Sequence, residues 1–271
     1  MNSISESSID ERLRQWRQGD YALDTGGFLF ADVAEGSEKF DARLVTQDVV
    51  GSVVVSQTCD IIRLTDDRIH VAVCPLVTRE TKYLKPINSG RYPSLTMIEH
   101  PPREDAVVDL ARVMSVSKRL LASWPRIDGF TTSERAIRFA AAIERKFGRF
   151  AFPDAFNEAT RSFQDRVRTR HDKLSTTGTV YRSIHQFRFI ASPHWDAEFV
   201  RVSMVVILLP TDRMSASEET IRAELQSLCD AVKWGPNFGW STPAFYCANA
   251  ADLRGSDILG SQLADFEYLS G

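Results

Sequence analysis

The sequence predicts an α+β protein made of a small N-terminal β-barrel, a helical middle and a C-terminal α+β layer. Three observations point there. Residues 20–122 hold several short apolar runs of strand length separated by tight turns, the pattern of a small barrel. Residues 123–178 switch to helical apolar spacing and carry an excess of cations. Residues 179–271 alternate again and place one amphipathic helix between strands. A helical segment over 1–19 precedes the barrel.

In chain order, residues 3–18 read as a short helix, with Ser8 as cap and Glu11 as its capping-box partner. Asp24-Thr25-Gly26-Gly27 is a turn signal, followed by the strand "FLFADVA" and a polar loop from Glu35 to Asp41. "ARLVTQDV" reads as a further strand or an extended approach. Val50 to Gln57 is a strand, Thr65 to Asp67 a turn, and "RIHVAVCPLV" from Arg68 the next strand. These two strands are expected to be neighbours in one barrel, with Pro75 where pairing stops or passes to an edge. Gly90 to Leu95 is turn-rich, and "AVVDLARVMSV" from Ala106 reads as a strand pair turned at Asp109.

In the middle, Ile137, Ala141, Ala142, Ile143 and Phe147 lie near helical spacing, with Ser133 as N-cap and Gly148 as terminator. A second helix is expected from Pro153 to Lys173, with Phe156, Ala159, Phe163 and Val167 on one stripe. Beyond Val180, "VYRSIHQFRFIASP" and "FVRVSMVVILLP" read as strands. "SASEETIRAELQSLCDAVKW" reads as a helix capped by Ser215 or Ser217, its glutamates in the first turn where the helix dipole favours them. "WGPNFGW" reads as an aromatic loop and "PAFYCANA" as a last strand.

The bulk numbers bound the function. The 271 residues are 43% hydrophobic and 25% charged, ordinary for a globular chain. The longest apolar run, Val202 to Pro210, is strand-sized, so no membrane span is expected. The first 20 residues lack the apolar core of a secretory signal. Four cysteines without CxxC spacing read as reduced thiols of a cytoplasmic protein. Net charge is only −3 but uneven: residues 1–117 carry 13 basic and 18 acidic groups, residues 118–175 carry 13 and 7, and residues 191–271 carry 5 and 11. A basic middle could face a phosphate backbone or pair with its acidic neighbours.

The most reactive stretch is "GSVVVSQTCDII", in which Ser56, Gln57, Thr58, Cys59 and Asp60 close a core strand. A thiolate needs a neighbour that favours it, and Asp60 works against it, so Cys59 is not expected to be an activated nucleophile. A cysteine-dependent hydrolase using Cys59 stays open, with His70 on the following strand as its nearest histidine. Cys59, His70 and Cys74 lack finger or ribbon spacing, so neither a metal nor a cofactor is expected.

The run "GGFLFADVAEG", "VVGSVVVSQ", "IHVAVCPLVTRE" and "DLARVMSVSKRLL" resembles the MazF/PemK/Kid family of SH3-like barrel toxins over roughly residues 20–122. Pro75-Leu76-Val77-Thr78 stands for the family's "PLT" strand, and Arg112 to Leu120 for its closing segment. The resemblance implies a metal-independent endoribonuclease, in which an RNA 2′-hydroxyl attacks the adjacent phosphate. That chemistry needs a base, a cation for the phosphorane and a proton donor. By position Thr78 matches the family's hydroxyl, whereas Val50-Gly51 stands where the family has Arg-Pro. Arg43 upstream and Arg79 after Thr78 are the nearest substitutes, and Cys59-Asp60 lies where relatives contact RNA. The missing Arg-Pro favours an alternative: a non-catalytic SH3-like binding module for nucleic acid or for a protein partner, a second copy included.

Elsewhere, "RKFGRFAFP" interleaves cations and phenylalanines as a single-strand platform would. Arg145, Lys146, Arg149, Arg166 and Arg170 are the expected contacts to RNA or single-stranded nucleic acid. His194-Trp195-Asp196 reads as a turn anchored by its tryptophan.

Overall fold

The computed structural model describes residues 6–33, 40–63, 68–249, 251–253 and 255–264, and the chain forms two compact units, residues 1–148 and 149–271. The chain is mixed α+β, as the sequence predicts, and each unit contains both helices and strands. The Thr65–Asp67 turn and most of the Glu35–Asp41 loop lie outside the described residues.

The first unit opens with α1 (Glu6–Leu13), β1 (Tyr21–Leu23), β2 (Phe28–Val33), β3 (Phe40–Val45) and β4 (Val49–Val54). It continues through α2 (Thr58–Ile62), β5 (His70–Thr78), α3 (Thr81–Asn88), β6 (Leu95–Thr96) and β7 (Ala106–Asp109). It ends with β8 (Met114–Ser117), α4 (Lys118–Ser123) and α5 (Ser133–Phe147). Ser8 sits inside α1 and so is not its cap, and α5 is capped by Thr132, one residue before the expected Ser133.

The expected neighbours β4 and β5 do pair, antiparallel, with Val53 opposite Cys74. The described strands nevertheless run in an open path, β1-β4-β5-β7-β6, with β8 on the far half of β5, and do not close into a barrel. Strands β2 and β3 pair only with each other. The reason lies in the faces of the sheet. A strand turns successive side chains to opposite sides, and β4 and β5 are apolar on both. Val54, Val71 and Val73 pack with Leu13, Trp16 and Leu121 from the helical side, and Val77 continues that face towards Ile87 of α3. Val53, Cys74 and Leu76 pack with Phe139 of α5 on the other. A sheet covered by helices on both faces has no need to curl onto itself. Gly51 is required where β1 crosses: a Cβ there would lie 2.3 Å from the Ala22 carbonyl oxygen.

The second unit contains α6 (Asp154–Arg170), α7 (Thr176–Arg182), β9 (Ile184–Ser192), β10 (Val200–Leu208) and α8 (Glu218–Ala231). It closes with β11 (Phe238–Asn249), α9 (Gly255–Leu259) and β12 (Gln262–Ala264). The sheet order is β11-β10-β9-β12. The β9–β10 pair is antiparallel, and α8 carries the chain across so that β11 runs parallel to β10. Phe156, Phe163 and Val167 of α6 bury their stripe against Phe187, Phe189 and Val202 of the sheet, with Leu225 and Leu228 of α8 beside them. Ser217 caps α8, one of the two residues expected to do so. Among the described residues no helix is long and apolar enough to cross a membrane.

Candidate nucleic-acid interface

The expected catalytic residues are divided among β5, the β2–β3 hairpin and α2. Thr78 ends β5 opposite Ala106. Arg79 next to it donates from Nη1 to the Thr78 carbonyl at 3.0 Å, and its Nη2 lies 3.6 Å from the buried Asp109 carboxylate. Arg43 stays on the β2–β3 hairpin, 3.2 Å from Asp32 and 3.9 Å from Asp41. Cys59 and Asp60 fall not in a loop but in the short helix α2. The exposed Cys59 thiol meets Gln57 Oε1 at 3.6 Å, and Asp60 is paired with Arg68 at 2.8 Å. Lys118, 1% exposed, fixes this segment by donating from Nζ to the carbonyls of Asp60 and Arg63. A cation on the last carbonyls of a helix satisfies acceptors the helix itself leaves open.

The expected nucleic-acid contacts divide between the two units. Arg166 is committed inside the second unit, 2.9 Å from Glu224, which also accepts from the Tyr181 hydroxyl at 2.5 Å. Burial, followed by the Glu224 hydrogen bond, pushes the Tyr181 phenol well above its usual range. Arg170 is exposed at the end of α6, and Arg149 is exposed as the first residue of that unit. Phe150 packs edge-on against Phe152 and stays 39% exposed. Arg145 and Lys146 remain with the first unit on the last turn of α5, beside Phe147, which is 56% exposed.

Arg145 leads to residues the sequence reading passed over. Its Nη1 donates to the Gly90 carbonyl, at the turn that closes α3. Helix α3 buries Ile87 and half-buries Leu84 against Val77 and Val107, which turns Lys82 and Lys85 outward. Its end is fixed by backbone geometry. Gly90 has φ +74°, its N–H donates to Ile87 at 2.9 Å, and the Arg91 N–H donates to Pro86 at 2.9 Å. That pair of bonds is the Schellman arrangement, which favours glycine because a side chain resists positive φ. It brings Tyr92 back beside Tyr83, the two rings meeting edge to face with centroids 6.2 Å apart. Tyr83 is 36% exposed and Tyr92 38%.

One cation lies over a ring, and others sit on α3, on its closing turn and at the end of α5. Lys82 Nζ lies 4.9 Å from the centre of Tyr83 and 2.7 Å from Glu80, whose hydrogen bond raises the ammonium above its usual range. Lys85 and Lys146 have no ion-pair partner among the described residues. Two half-exposed aromatic rings can stack on bases, and cations of α3, its closing turn and the end of α5 can follow phosphates. The signal in the sequence was "TKYLKPINSGRY", with cations and tyrosines spaced to meet across one glycine turn. Among the described residues no group of His, Cys, Asp and Glu could hold a metal ion. Comparison with protein-family models and with curated proteins finds no match.

Proposed function

We propose that the protein is a nucleic-acid-directed binding module of the toxin or defence type that holds single-stranded RNA without cutting it. The observation that carries this reading is the half-exposed Tyr83–Tyr92 pair, with Lys82 over the Tyr83 ring and Arg145 donating to the turn between them. The resemblance to MazF/PemK toxins supports RNA as the ligand. The pairing of Arg43 with Asp32, and Val50-Gly51 in place of Arg-Pro, count against cleavage.

The test is binding of a short single-stranded RNA at several salt concentrations. Affinity should fall with salt with a slope of about −0.7 per phosphate contact, and Lys85→Ala with Arg91→Ala should flatten it by roughly 1.4. Tyr83→Ala or Tyr92→Ala should each weaken binding by about 1–3 kcal/mol if the ring stacks on a base. No salt-dependent binding at about 50 mM salt would end the reading. RNA cleavage in the presence of a chelator that disappears in Thr78→Ala would restore the endoribonuclease.

A second reading, contact with a protein partner or a second copy, is favoured by the β2–β3 hairpin. Leu29 and Leu44 face each other across it at 49% and 60% exposure, with Val33 on the same side at 58%. Exposed apolar faces of this kind mark interaction surfaces. A sedimentation shift that Leu44→Lys abolishes would support it.

A further inference from the structure

The second unit carries a groove of about 760 Å³ between α6 and the segment that follows α8. Glu158, Arg161 and Ser162 line one side, and Lys233, Trp234 and Pro236 the other. Volumes of this order suit a small ligand.

The lining offers three different chemistries. Arg161 and Lys233 are exposed cations with no ion-pair partner among the described residues. Glu158 is an exposed carboxylate, likewise without a cation, whereas Asp165 in the same groove is neutralised by Arg168 at 2.6 Å. Trp234 is half-buried and rigidly held: it lies 6.0 Å from Phe238, nearly parallel, and 4.8 Å from Trp240, edge to face. Its Nε1–H is buried without an acceptor, an unsatisfied donor the fold does not account for.

We propose that this groove binds a nucleoside phosphate. The phosphate meets Arg161 and Lys233, as charge-assisted bonds from cations favour. The ribose hydroxyls donate to Glu158, the use carboxylates serve in dinucleotide sites. The base lies against the apolar wall of Trp234 and Pro236. A plain sugar would leave the cations idle. The site lies within the second unit and is independent of the RNA patch on the first.

Calorimetric titration of the full chain with AMP tests it. AMP should bind at least about tenfold more tightly than adenosine or inorganic phosphate. Arg161→Ala with Lys233→Ala should lower AMP affinity about tenfold and remove most of its salt dependence. Both positions are exposed, so thermal melting of that variant should match the parent. Glu158→Gln should weaken AMP but leave its 2′,3′-dideoxy analogue unchanged. Tyr83→Ala with Tyr92→Ala should leave AMP binding intact, so failure of the RNA reading and failure of this one are separable. AMP binding no tighter than phosphate, or unaffected by the double alanine variant, would overturn the inference. So would binding of a single-stranded oligonucleotide in this groove without binding of AMP.

Discussion

Lys118 is the residue whose role was least visible in the sequence. A lysine between two strand-like runs reads as solvated, yet its ammonium is buried and engages two backbone carbonyls. A buried charge survives only with such partners. The cysteines separate in the same way. Cys59 is exposed, whereas burial and then the charge of Asp109 push the Cys74 thiol up to about 12. Burial and then Asp230 push Cys229 up to about 12, and burial also raises Cys247. Iodoacetamide on the native protein should therefore label Cys59 alone, and all four cysteines only after unfolding. Rapid labelling of Cys59 at about pH 6 would reopen the cysteine-hydrolase reading. The buried thiols also set an alkaline limit. A raised folded pKa contributes stability that is complete below the unfolded value and lost as pH rises through the folded one. For Cys74 that window runs from 9.0 to about 12. Urea melts should show stability falling across it, and less steeply in Cys74→Ala.

At the level of elements, the long periodic segments were legible and the short ones were not. Helices α6 and α8 and strands β4, β5, β9 and β10 follow from apolar spacing because each buries a stripe or face. Helix α5 forms where expected but buries Phe139, beside Ala142 and Ile143, and leaves Ile137 and Phe147 exposed. Helix α3 was missed because Pro86 argues against a helix interior. It forms because Ile87 is buried just before the Gly90 turn. The last three residues of helix α7, Val180 to Arg182, fall in the segment expected to open a strand. Gly178 decides otherwise, since a Cβ there would lie 2.1 Å from the Lys173 carbonyl oxygen, so the helix nests in the preceding turn. Half of the expected "WGPNFGW" loop is the start of β11, continuous through a register shift opposite Val202 and Met204. The Tyr83–Tyr92 patch escaped notice because it depends on α3 and its closing turn. Gly90→Ala, placed at φ +74°, should cost about 1–2 kcal/mol of stability. If that turn positions Tyr92, the same variant should also weaken RNA binding, which filter binding beside a denaturant melt would separate.

Across the whole molecule, the basic middle divides between the two units. Of its residues, 118–148 carry 7 basic and 3 acidic groups into the first unit, and 149–175 carry 6 and 4 into the second. Each unit is thus close to neutral, 20 basic against 21 acidic in the first and 13 against 15 in the second. Attraction to a phosphate chain is accordingly local and short-ranged. Each unit also has its own core, so fragments 1–148 and 149–271 should each fold, seen as cooperative melts, with RNA binding in the first and AMP binding in the second. A first fragment that folds but takes up no RNA would place the ligand elsewhere. The Arg145 contact to Gly90 adds a consequence in time. A nascent chain emerges N-terminus first, and Tyr83 and Tyr92 leave the ribosome well before residue 145. The guanidinium that bonds their turn arrives last in the unit, so the surface proposed to bind RNA matures only when synthesis of the first unit is complete.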